Sequence, residues 1–176
     1  CSLPAQQPQH TKTPTVAATP SPYAGEQARE IKSLSASEIQ ALHQGAGMGY
    51  AKAAELNGYP GPMHVLELAR QLQLSPEQRQ ASEQLMAQHK ATARALGSQL
   101  VNAERTLDTA FAQKQIDPQR LAELTQRIGQ LQANLRAEHL QTHLQQTALL
   151  QPQQIARYQS LRGYDKSAGH ANKHTH

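Results

Sequence analysis

From Ser75 onward, apolar residues recur at alternating four- and three-residue steps, the signature of one buried helical face. Leu96, Leu100, Ala103, Leu107 and Ala110 form one stripe, and Leu121, Leu124, Ile128, Leu131 and Leu135 form a second. Ser75-Pro76-Glu77-Gln78 is a capping box with proline at the first helical position, so the first long helix opens there. It should run to about Gln115, with only the tolerable Gly97 inside it. Asp117-Pro118 caps a second helix, expected to reach Leu149. The short connection at Ile116-Asp117 makes the pair an antiparallel hairpin. Pro152 opens a last helix that should end at Gly163.

Upstream, the signals are shorter. Ser35 and Glu38 form a capping box for a helix to about His43. Gly45, Gly47 and Gly49 then loosen the chain around Met48. Ala51–Leu56 is helical again and stops at Asn57-Gly58. Tyr59-Pro60-Gly61-Pro62 is a turn before a helix from Met63 to about Gln73. The expected fold is all-α, an elongated bundle built on a long antiparallel helical hairpin with short flanking helices. Leu140 and Leu144 fall on the far side of their helix from Leu131 and Leu135. They call for cover from the N-terminal helices, the final helix or a second copy, so a homodimer is one solution.

Composition narrows the class. The chain has 176 residues and is 38% hydrophobic; Phe111 is its one phenylalanine and it has no tryptophan. Its mean hydropathy is -0.68. That suits helices that bury one stripe and wet the rest. The net charge of +4 is too small to indicate nucleic acid. No apolar run approaches the about 20 residues that span a bilayer.

Cys1 is the sole cysteine and the first residue. Bacterial lipoproteins are cleaved just before a cysteine that then carries the lipid, so Cys1 is read as a lipidation site. The stretch that follows, with Pro4, Pro8, Pro14, Pro20 and Pro22, reads as a tether. The expected division is a lipid-attached flexible linker over 1–33, a helical domain over 34–163, and a disordered tail over 164–176 that carries His170, His174 and His176. Such a protein would be exported to the periplasm. Ser2 suggests anchoring in the outer membrane, under the sorting rule of enteric bacteria.

Leu74-Ser75-Pro76-Glu77-Gln78 recurs in modified form as Leu150-Gln151-Pro152-Gln153-Gln154. Each copy opens a helix, with Leu74 or Leu150 as the anchor and Gln78 or Gln154 at the third helical position. With two such copies flanking the hairpin, the chain resembles the Spy/CpxP family of periplasmic stress proteins, marked by two LTxxQ motifs, over roughly Pro60 to Gly163. It is similar also to that family's metal-linked branches, the zinc-responsive ZraP and the metal sensor CnrX. Ser75 stands for the motif's threonine, and Gln151 is a weaker N-cap. The resemblance implies a curved helical dimer that binds unfolded envelope proteins without ATP. The alternative it implies is a periplasmic sensor or resistance protein for Zn, Ni, Co or Cu.

Two sets of residues carry these readings. Arg79, Lys90, Arg94 and Arg105 flank the first stripe with Val101 among them. Long basic stems beside aliphatics suit weak capture of unfolded clients, and an ordinary solvated face is the plainer reading. His139 and His143 share one helical face at a spacing that ligates divalent transition metals. With Phe111 opposite Leu121, antiparallel register brings His89 level with His143. His64, Glu67 and Met63 on the preceding short helix are further candidates. Histidines with ordinary hydrogen bonds are the bland alternative. No nucleophile elbow, His-Glu-x-x-His motif or phosphate loop is present, so no enzyme is expected.

Overall fold

A computed structural model describes residues 17–165. Cys1, most of the proline-rich stretch and the tail histidines lie outside the described residues. Helices α1 (Ala36–Gln44), α2 (Lys52–Glu55), α3 (Pro62–Glu67), α4 (Pro76–Ala112), α5 (Pro118–Ala148) and α6 (Pro152–Leu161) follow a 3-10 turn at Glu26–Ala28. No strand occurs among the described residues, and no helix there is long and apolar enough to cross a membrane.

The hairpin of α4 and α5 is the frame. At 37 residues, α4 is about 55 Å long. Cross-helix pairs fix the antiparallel register: Gln146 Nε2 donates to Ser82 Oγ at 2.9 Å, and Arg127 Nη2 to Gln99 Oε1 at 3.2 Å. Lys114, at φ 57, ends the first helix, and the Asp117 side chain accepts from Arg120 N–H to start the second. Helix α3 is shorter than expected, because the chain turns after Glu67 and Gln73 takes φ 52.

Two apolar clusters stabilise the frame. In the first, Leu100, Val101, Ile128, Leu131 and Leu135 meet Ile31 and Leu42, brought by the N-terminal segment and α1. In the second, Val65, Leu72, Leu150 and Tyr158 join α3 and α6 to the open end of the hairpin. Burying each large aliphatic or aromatic group is worth roughly 1.5–3 kcal/mol. Helix α1 crosses α4 at Gly97, where an added Cβ would overlap the Leu42 carbonyl. That glycine is required by close backbone approach, which the periodicity alone did not reveal.

The motif pair is structural. Ser75 Oγ accepts from Gln78 N–H at 3.0 Å, and Gln78 Oε1 accepts from Ser75 N–H at 3.0 Å. Gln154 Oε1 likewise accepts from Gln151 N–H at 2.8 Å. The two glutamine amides then pair with each other, Gln78 Nε2 to Gln154 Oε1 at 2.8 Å and Gln154 Nε2 to Gln78 Oε1 at 2.9 Å. Their remaining protons go to Leu149 O and Leu72 O. The repeat thus knots the starts of α4 and α6 together, each bond contributing about 1 kcal/mol.

Three sequence expectations need correction. The helical body begins before residue 34: Ile31 is fully buried, Lys32 N–H donates to Asp108 at 2.9 Å, and Arg105 grips Glu30. It also extends past Gly163, since Tyr164 donates its hydroxyl to Glu55 at 3.1 Å. Val101 is wholly buried with Ile31 and Leu42, so it offers nothing to a client. Of the two leucines needing cover, Leu140 is half-buried while Leu144 stays 55% exposed.

Candidate metal centre

Between the two apolar clusters the hairpin turns polar. There a cavity of about 670 Å³ opens between α4, α5, α3 and the Gly45–Ala51 loop. Four histidines line it: His64 from α3, His89 from α4, and His139 and His143 from α5. The i, i+4 spacing on α5 puts the last pair on one face, as the sequence indicated.

Three of the four rings are held in the same way. His89 Nδ1 lies 3.1 Å from Glu138 Oε1 and 3.0 Å from Thr142 Oγ1. Thr142 Oγ1 donates to the Glu138 carbonyl at 2.8 Å, so the network assigns the proton to His89 Nδ1. His143 Nδ1 donates to Tyr59 O at 2.7 Å, and His64 Nδ1 to Glu67 Oε2 at 2.8 Å. In the neutral ring, each arrangement leaves Nε2 with its lone pair and without a hydrogen-bond partner among the described residues. Carboxylate or carbonyl contacts of this kind orient metal-binding imidazoles.

His139 is the fourth ring and the most deeply placed, 4% exposed. It stacks on Tyr50 at 5.4 Å and meets the edge of His89 at 4.6 Å. Its Nε2 is buried without a partner. Burial, helped by the neighbouring His89 and His143, pulls its pKa from 6.5 down to about 4. It is therefore neutral at physiological pH, the form that binds metal. Gly61 makes room for this arrangement, because a Cβ there would stand 2.6 Å from His143 Nε2.

Glu55 closes one side. Its Oε1 accepts from Tyr158 at 2.6 Å, and its Oε2 lies 3.6 Å from His143 Nδ1. Burial and the Glu55 contact raise the Tyr158 pKa, so that phenol stays protonated. Among the described residues, no three His, Cys, Asp or Glu side chains form a ready-made cage. The donor set is open, and the orphaned His139 Nε2 fits a metal as its missing partner.

The sequence-predicted residues divide as follows. His89, His139, His143, His64 and Met63 all line the cavity, and His89 meets His139 edge to face. Glu67 lies outside it and holds His64 from the side. Lys90 and Arg94 sit on its rim; Arg94 also donates to Gln44 O at 3.4 Å. Arg105 pairs with Glu30, and Arg79 is solvent-exposed. The sequence reading missed Tyr50, Glu55, Glu138 and Thr142 as parts of the site.

Fold and site together define a helical-hairpin protein with an open, histidine-lined cavity. The model of a family described as heavy-metal resistance matches residues 39–157, more than half of the chain, and the chain belongs to that family. The family falls within the wider group of helical proteins that takes in Spy, CpxP and ZraP. No curated protein and no solved structure matches the chain.

Proposed function

We propose that this protein binds a transition-metal ion in the cavity between α4 and α5 and acts as a metal sensor or buffer of the bacterial envelope, not as an enzyme. The observation that carries this is the set of four histidines lining one cavity, three oriented through Nδ1 and the fourth buried with an orphaned Nε2. Membership of the heavy-metal resistance family supports it. His139 and His143 would be the central ligands, with His89 and His64 as neighbours. The bound ion would add a fixed point between α3 and α5 in the polar middle of the hairpin. The test is competitive titration of the full chain with Zn(II), Ni(II), Co(II) and copper, in a background with Cys1→Ser and with His170, His174 and His176 changed to Ala. Joint replacement of His139 and His143 by Ala should weaken metal binding at least about 100-fold, which is about 2.7 kcal/mol. Unchanged affinity in that variant would sink the proposal.

A second reading, ATP-independent binding of unfolded envelope proteins, draws on the hairpin tip. There Phe111 is 49% exposed on α4 and Leu121 37% exposed on α5, one on each side of the connection. They offer exposed apolar surface near that end.

A further inference from the structure

The chain contains three methionines, and all three line the same cavity. They come from separate segments: Met48 from the glycine-rich loop, Met63 from α3 and Met86 from α4. Methionine ordinarily fills gaps in a core. Here Met48 is 42% and Met63 49% exposed, so packing does not account for them. Met48 holds φ 46 between Gly47 and Gly49, a backbone conformation unusual for a side-chain-bearing residue.

The charges around the cavity point the same way. Lys52, Lys90, Arg94 and Arg162 line it, against the single carboxylate of Glu55, which is already engaged by Tyr158 and Tyr164. A divalent ion held by these imidazoles would bring two charges into that basic surrounding, offset only from behind the rings by Glu138 at His89 and Glu67 at His64. A monovalent ion brings one. Three thioethers line the cavity, from the glycine-rich loop, α3 and α4. Thioether and imidazole together are the donors of soft d10 cations.

We propose, resting on the metal-binding reading above, that the cavity selects a soft monovalent cation, Cu(I), through the sulfurs of Met48, Met63 and Met86 and the imidazoles of His139 and His143. Thioethers carry no proton to lose, so the sulfurs bind without releasing one. Their flexible stems let three sulfurs close on an ion from a cavity that is open without it.

The test compares three full-length proteins, all with Cys1→Ser and with His170, His174 and His176 changed to Ala. One carries no further change, one has Met48, Met63 and Met86 replaced by Leu, and one has His139 and His143 replaced by Ala. Leu conserves volume, and circular dichroism checks that the fold is kept. Cu(I) affinity is read anaerobically by competition with a chromophoric chelator, and Zn(II) affinity with a fluorescent one. The expected result is a Cu(I) affinity at least about 100-fold lower in the methionine variant, with Zn(II) affinity changed less than about threefold. X-ray absorption of the Cu(I)-loaded unchanged protein should show sulfur in the first coordination shell. Equal Cu(I) affinity in the methionine variant, or a shell of nitrogen and oxygen only, overturns the inference. If Zn(II) binding is then still lost in the histidine variant, the metal-binding reading stands without the soft-cation preference. If the histidine variant keeps its affinity for both ions, the metal-binding reading fails as well.

Discussion

Acidification should destabilise this protein through His139. The ring is 4% exposed, and its pKa in the folded chain is about 4 against 6.5 for the free side chain. Burial is the main cause, followed by the neighbouring His89 and His143. The folded state therefore resists protonation while the unfolded chain takes up a proton as pH falls through 6.5. Stability is fully present above that value, declines between pH 6.5 and 4, and changes no further from this group below pH 4. A difference of about 2.5 pKa units at 1.36 kcal/mol each gives a loss of about 3 kcal/mol. The assay is urea denaturation of metal-free protein at intervals from pH 7.5 to 4, comparing the parent with His139→Gln. Glutamine is uncharged over the whole range and removes this proton uptake. The parent should lose about 2–3 kcal/mol more than the variant between the two limits. Parallel curves would refute the reasoning, because His139 would then titrate alike in the folded and unfolded states.

Two further substitutions probe the frame and the second reading. Gly97→Ala should lower stability by about 2 kcal/mol or more in urea denaturation, despite the better helix propensity of alanine, because α1 must lift from α4. A neutral or stabilising result would show that α1 does not cross there. Changing Phe111 and Leu121 to Ser should leave the thermal midpoint within a few degrees, since both are exposed. If the tip holds unfolded clients, that double variant loses suppression of aggregation of a denatured substrate; retained suppression rejects the tip as the client site.

Local signals carried most of the architecture. The capping boxes at Ser35 and Ser75 form as their residue types require, and the Leu100 and Leu131 stripes face each other because the helical period admits few alternatives. The pairing of His139 with His143 was legible for the same reason. Cross-helix detail was not, because it depends on register to within one turn. Hence the sequence alone does not show that Glu138 faces His89 across the hairpin. Val101 lies off the heptad stripe, so its burial depends on α1 and the segment before it. That segment, with Ile31 and Leu34, is too short to show a period. Of the methionines, only Met63 stands out in the sequence, and it is the fold that brings Met48 and Met86 to the same cavity.

The central claim is that metal binds at the cavity histidines, and the imidazole nitrogens report on it directly. Nitrogen-15 NMR of the full chain with Cys1→Ser, titrated with diamagnetic Ag(I) and separately with Zn(II), follows every ring. The account predicts that Nε2 of His139 and His143 shifts first, at one equivalent of metal, with the Nδ1 of His143 still protonated. Shifts confined to His10, His43 and the histidines after residue 165, with His139 and His143 unmoved, would contradict it.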